Sequence, residues 1–101
     1  MLILNTTFLV SDEIQNQWLE WVREQHIPFM LNTKYFIKPQ IAKIISNDAT
    51  DGTSYSVQFQ INNRETLEKW QREFAGKFEQ NCYKIFGNEA LFFSTILEIV
   101  D

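Results

Sequence analysis

The sequence has few of the residues that mark a disulfide scaffold, a disordered chain or a metal site. A single cysteine, Cys82, cannot form an intrachain disulfide, which favours a reducing compartment, and we expect the cytoplasm. Three glycines and two prolines are too few for a chain dominated by loops. One histidine and one cysteine make no multi-ligand metal motif, and neither a glycine-rich phosphate loop nor a nucleophile elbow occurs. We therefore expect no metal and no cofactor.

The chain also lacks an excess of basic residues and any long apolar run. Nine lysines and arginines stand against thirteen acidic residues, and the formal net charge of −4 disfavours nucleic acid as a partner. No apolar run approaches the ~20 residues that a membrane helix needs. The apolar N-terminus, MLILNTTFLV, alternates and has no positive flank, so it predicts a strand and not a signal peptide. We expect neither nucleic acid nor a membrane as a partner.

The hydrophobic residues repeat at spacings that are typical of six elements. Alternation predicts four strands, and four-residue and three-residue steps predict two helices. The strands are expected at Leu2 to Val10, Phe36 to Ser46, Ser54 to Ile61 and Leu91 to Val100, and the helices at Asp12 to Gln25 and from Asn62 to Gly87. This order predicts an α+β, ferredoxin-like βαββαβ fold in one domain, residues 1–101, with a four-stranded antiparallel sheet and both helices on one face. Pro39 predicts an edge position or a bulge.

The first helix carries an apolar row in steps of four residues: Ile14, Trp18, Val22 and His26. Pro28 disfavours helical geometry at the residue before it, so the helix is predicted to end near Gln25. His26 then lies at a helix C-terminus, which favours the imidazolium form. It is our first catalytic candidate, as a general acid or base. The alternative is a structural histidine that hydrogen-bonds a carbonyl and helps to end the helix.

One face of the sheet is expected to lack helices and to pair with a second copy of the chain. In the last strand, Leu91, Phe93, Thr95, Leu97 and Ile99 are predicted to face the core, which leaves Phe92, Ser94 and Ile96 on the helix-free face. That face then combines apolar and polar side chains, and large apolar patches usually mark interfaces. The sequence therefore predicts a homodimer in which two sheets pack across a cavity.

Three segments carry a resemblance to a known family: the first strand with Asn5, the Trp18-x-x-Trp21 pair followed by His26-Ile27-Pro28, and the strand TSYSVQF at 53–59. Together they resemble a family of short bacterial proteins of unknown function. That family is similar to the dimeric α/β-barrel group, which includes small monooxygenases of the antibiotic-biosynthesis type and haem-degrading enzymes. The resemblance implies a dimeric α/β barrel with a pocket between sheet and helices.

The resemblance also implies a role for Asn5, because a strand-one asparagine polarises the substrate in those monooxygenases. The alternative is a hydrogen bond across the dimer face. The residues expected to line the pocket are Thr7, Trp18, Val22, Gln58 and Phe92. Trp18, Trp21 and Trp70 could flank a flat aromatic ligand, although tryptophan at helical spacing is more often a core residue. Asp48 and Asp51 could bind a cation, but turn chemistry explains them.

Two functions therefore remain open from the sequence. The first is a small-molecule-binding or regulatory homodimeric module. The second is a cofactor-independent monooxygenase- or isomerase-like enzyme that acts on a small aromatic substrate, with His26 and Asn5 as the catalytic residues. Fold analogy alone does not choose between them.

Overall fold

The computed structural model describes residues 1–45 and 52–101, and its elements follow the predicted order. The strands are β1 (Leu2–Val10), β2 (Ile37–Lys43), β3 (Thr53–Ile61) and β4 (Ala90–Glu98). They form one antiparallel sheet in the order β2-β3-β1-β4, which confirms the predicted ferredoxin-like fold. Asp48 and Asp51, in the predicted hairpin turn, lie outside the described residues.

The Pro39 prediction is confirmed, because β2 is both an edge strand and a bulged one. Its pairing with β3 shifts between Ile37 and Gln40, and Lys38 has a φ of 54°. An edge strand with a bulge tolerates a residue that has no N–H to donate.

The first helical segment, residues 12–32, does not end at Gln25 as predicted. A 3₁₀ turn (Asp12–Ile14) leads into α1 (Gln15–Trp21), a π turn (Val22–His26) and α2 (Ile27–Asn32) without a break. The Ile27 N–H bonds to the carbonyl of Val22, five residues back. This wider turn makes room for Pro28, whose ring would otherwise meet the carbonyl four residues before it. His26 therefore lies inside a continuous helix and not at a C-terminus.

The second helical segment, residues 64–86, has the same construction. It comprises α3 (Arg64–Trp70), a π turn (Gln71–Ala75) and α4 (Gly76–Phe86). The Asn63 side chain caps its start by accepting a hydrogen bond of 2.8 Å from the Thr66 N–H. Gly87, with a φ of 59°, ends it, as predicted for a glycine that follows a helix. None of the helices in the described ranges is long and apolar enough to span a membrane.

The spacing of apolar residues explains why both segments need a π turn. Each segment presents a row of residues to the sheet in strict steps of four. In an α-helix of 3.6 residues per turn, such a row drifts by about 40° at every step. A π turn holds more residues and cancels part of that drift, so the whole row stays on the sheet side. The rows are Ile14, Trp18, Val22, His26 and Met30 in the first segment and Trp70, Phe74, Phe78, Cys82 and Phe86 in the second, all buried or half-buried.

A short sequence pattern repeats at the same place in both segments. The first segment contains Trp21-x-Arg23-Glu24 followed by Phe29. The second contains Trp70-x-Arg72-Glu73 followed by Phe78, with the same spacing. In each case the tryptophan is the residue immediately before the π turn. The two βαβ halves of the chain therefore share an irregularity as well as a topology.

The cross-strand register corrects the predicted faces of β4. Phe92 lies opposite Phe8, and Phe93 lies opposite Thr7. Opposite residues of an antiparallel pair share a face, and Phe8 is buried beneath the helices. Phe92 therefore packs on the helix side, 5.3 Å from Phe8 between ring centroids, and Phe93 lies on the helix-free face. The prediction had these two sets of β4 residues exchanged.

Candidate functional site

The structure divides the predicted site residues between the two sides of the sheet. Asn5, Thr7 and Gln58 lie on the helix-free face, and Trp18, Val22, His26 and Phe92 lie on the helix side. The two catalytic candidates, Asn5 and His26, are therefore not in one pocket. Trp18 and Val22 are each 0% exposed, so they form the core instead of lining an open cavity.

Polar side chains form a hydrogen-bonded chain at the centre of the helix-free face. The Ser56 hydroxyl donates to Asn5 Oδ1, and Gln58 Nε2 donates to Ser56 Oγ at 3.2 Å. Ser56 is buried, and Asn5 and Gln58 are half-buried. Asn5 pairs with Gln58 on one side and with Thr95 on the other. The centre of this face is therefore polar and already internally bonded.

Large apolar side chains surround that polar centre at both edges of the sheet. On β4, Leu91 is 53% exposed and Phe93 is 64% exposed, and Leu97 is exposed beside them. On the opposite edge, Ile37 and Ile44 are also exposed. The face therefore has an apolar rim around a polar centre, and we call it the bare sheet face.

His26 is enclosed by aromatic rings on the other side of the molecule. Its ring stacks on Trp21 at 5.2 Å and 11°, and lies 4.8 Å from the Phe78 ring. The Phe59 ring is nearly perpendicular to the His26 ring, and their centroids are 5.8 Å apart. This burial lowers the pKa of His26 to about 4, the reverse of the predicted stabilisation of the imidazolium. His26 is therefore a neutral imidazole at pH 7.

A groove runs between the two helical segments, and His26 forms part of its wall. Its volume is about 480 Å³, within the range of small-molecule sites. Trp21, His26, Phe29 and Phe78 supply an aromatic surface, and α4 adds Lys77 and Lys84. We call this the interhelix groove. No motif in the sequence predicts this groove, although Lys77 and Lys84 are seven residues apart, a spacing that places them on one helix face.

The pKa of His26 predicts a stability that depends on pH. Unfolding raises this pKa from about 4 to the usual 6.5, so the unfolded chain binds more protons between these pH values. The contribution of neutral, buried His26 to the stability of the fold is therefore complete above pH 6.5 and is lost as the pH falls towards 4. We expect the free energy of unfolding to fall by about 2 kcal/mol between pH 7 and pH 5, as urea denaturation would measure.

The control for this prediction is His26→Phe, which keeps an aromatic ring in the stack and removes the titration. The pH-dependent loss is expected to be about 2 kcal/mol smaller in the variant, because the carboxylates titrate alike in both proteins. Equal losses in the two proteins would show that His26 is not held neutral by the fold.

Other reactive groups contribute little to either side of the sheet. Cys82 is buried, and burial raises the pKa of its thiol to about 11, so the thiol is protonated and unreactive at neutral pH. Over residues 1–45 and 52–101, no cluster of three or more histidine, cysteine, aspartate or glutamate side chains could hold a metal ion.

The sheet order and the placement of the helices define a ferredoxin-like α+β protein, and solved structures share this fold. A protein of the ethyl tert-butyl ether D (EthD) family from Bacillus halodurans C-125 is 15% identical, with a TM-score of 0.70 over 99% of this chain and 100% of the other. HapK from Hahella chejuensis is 11% identical, with a TM-score of 0.70 over 99% and 93%. A dimeric ferredoxin-like protein from an uncultured marine organism is 10% identical, with a TM-score of 0.70 over 99% and 95%.

The chain belongs to a family described as a domain of unknown function, DUF4286, whose profile matches residues 1–100. This confirms the resemblance to a family of unknown function. No curated protein matches the sequence. Identities of 10–15% show a shared fold, and the shared fold does not by itself imply a shared activity.

Proposed function

We propose that this protein is a small-molecule-binding homodimeric module that pairs through the bare sheet face. The observation that carries the proposal is the distribution of side chains on that face. Phe93, Leu91 and Leu97 are exposed on one edge and Ile37 and Ile44 on the other, around a polar centre that is internally hydrogen-bonded. Apolar surface of this extent is costly to leave in water, and a second sheet would bury it.

The size of the bare sheet face supports a stable dimer. Four strands about 4.8 Å apart, three of them with nine residues that rise about 3.3 Å each, give a face of roughly 19 by 30 Å. With the relief of its side chains, this approaches the ~800 Å² per partner of a standard protein interface. The bonds through Ser56 already engage Asn5 Oδ1 and Gln58 Nε2, and the Asn5 amide nitrogen and the Gln58 carbonyl oxygen would bond to the second sheet. One structure that shares the fold is itself described as dimeric.

Pairing through the bare sheet face leaves the helix side of each copy open to a ligand. The interhelix groove lies there, with Trp21 and His26 in its wall. A single buried cysteine, Cys82, fits a protein that works in the cytoplasm, where thiols stay reduced. The dimer would therefore present two identical grooves on its outer surface.

Sedimentation equilibrium tests the dimer. We expect a mass twice that of the chain at about 10 µM, because interfaces of the standard size hold at micromolar concentration or below. A single-chain mass that does not change with concentration up to about 100 µM would overturn the homodimer.

A second function is favoured by one observation, the hydrogen-bonded chain of Asn5, Ser56 and Gln58 at the centre of the bare sheet face. If the two sheets meet only at their apolar rims, this centre becomes a closed polar cavity that could hold a substrate. The protein would then be a cofactor-independent monooxygenase- or isomerase-like enzyme for a small aromatic substrate, with Asn5 in contact with it. A dimer structure with an enclosed cavity beside Asn5 would support the enzyme, and a filled contact would leave the binding module.

A further inference from the structure

The interhelix groove has a flat, apolar wall. Trp21 and His26 stack almost in parallel, 5.2 Å apart and inclined by only 11°, and Phe78 lies 4.8 Å from His26. Phe29 stands at the side, 42% exposed, with its ring edge-on to Phe74. Trp21, His26 and Phe78 are only 4–8% exposed, so Phe29 supplies most of the aromatic surface that another planar ring could meet.

The charged residues that line the groove are both positive. Lys77 and Lys84 both come from α4 and both are exposed. Seven residues separate them, which places their Cα atoms roughly 10 Å apart along one side of the helix. Gln25 and Asn81 add neutral amides, and none of the residues that line the groove is acidic. In a chain of formal net charge −4, this is a local positive site.

The π turn explains how the wall is built. It places His26 in the four-residue row of buried side chains, beneath Trp21 and against Phe78. π turns recur at functional sites, because they displace a side chain without ending the helix. His26 is 4% exposed, so it lies at the base of the groove of about 480 Å³ and supports the rings around it.

From this wall and this charge we infer that the interhelix groove binds a planar aromatic anion, such as an arene carboxylate. The ring would lie against Phe29, Trp21 and Phe78, and the carboxylate would bond to Lys77 and Lys84. This inference rests on the proposed ligand-binding function and names the class of ligand and its place.

The test uses 2-naphthoate and its neutral analogue 2-naphthamide, titrated into the wild-type dimer and followed by amide chemical shifts. We expect the shifts to cluster on the groove, and we expect naphthoate to bind about 3- to 10-fold more tightly than naphthamide, the gain that one or two exposed ion pairs provide. The double variant Lys77→Met/Lys84→Met should abolish that preference and leave naphthamide binding within about twofold of the wild type.

The matched control is Lys43→Met/Lys69→Met, which removes the same two charges from exposed positions outside the groove. It should keep the preference for naphthoate. The inference is overturned if both double variants lose the preference equally, if naphthamide binds as tightly as naphthoate, or if the shifts map to Leu91 and Phe93. Sedimentation tests the dimer independently of this titration. Binding of a neutral or cationic compound in the groove would overturn only the ligand class.

Discussion

Replacing Phe93 by glutamate is expected to turn the proposed homodimer into a monomer at micromolar concentration. Phe93 lies on the bare sheet face at the middle of β4, opposite Thr7, and is 64% exposed in the single chain. Pairing would bury its ring, whereas a carboxylate at that position must lose its water without gaining a partner. We expect the dissociation constant to rise by about 100-fold or more, equivalent to about 2.7 kcal/mol, as measured by sedimentation velocity.

The matched control is Tyr83→Glu, which makes the same kind of change on α4, away from the bare sheet face. Tyr83 is 65% exposed, so both substitutions replace an exposed aromatic ring by a carboxylate. The control variant should remain a dimer. If Phe93→Glu remains a dimer and Tyr83→Glu dissociates, the copies pair through their helices and the proposed interface is wrong. Circular dichroism of both variants would establish that the fold is intact.

Replacing Trp18 by alanine is expected to lower the free energy of unfolding by about 3–5 kcal/mol. Trp18 is 0% exposed, and its ring lies 5.0 Å from Phe8 and 4.9 Å from Tyr55. Its indole N–H has no hydrogen-bond partner among the described residues. The loss therefore comes from packing and from the cavity that remains.

Urea denaturation at one fixed protein concentration would measure this loss, because the proposed dimerisation would make stability depend on concentration. Tyr83→Ala removes a ring of similar size from the surface and should change the free energy of unfolding by less than about 0.5 kcal/mol. A Trp18→Ala variant as stable as Tyr83→Ala would mean that Trp18 is not packed in the core, and it would revive the sequence-based role of Trp18 in a ligand pocket.

The β4 residues show where sequence patterns stop being informative. Alternation in β3 separates Val57 and Phe59 from Ser56 and Gln58, and the structure places these two sets on opposite faces of the sheet. In β4 both alternate sets are largely apolar, and the bulkier set, which includes Phe93, was assigned to the core. A face that pairs with another chain carries the same residue types as a core face, so periodicity cannot distinguish them. Only the register with β1 decides.

The candidate site depended on two features that local rules do not describe. The rule for proline placed a helix end before Pro28, but the π turn accommodates the ring and keeps His26 inside the helix. The groove then depends on how α4 lies against the first helical segment, which brings Lys77 and Phe78 beside His26. Neither residue is near His26 in sequence. The sequence therefore predicts the fold and identifies His26 as a candidate, but it does not predict which residues surround His26.

The paired π turns also determine how the length of this chain can vary. A π turn contains one residue more than the α-helical turn it replaces. Deleting that residue would restore a regular α-helix, and the helix would keep the same side facing the sheet. A deletion anywhere else in either helix would rotate every later residue by about 100° and carry the aromatic side into solvent. The second half of the molecule thus has one position, just after Trp70, where one amino acid can be lost without dismantling the core, whereas the first half needs its π turn to accommodate Pro28.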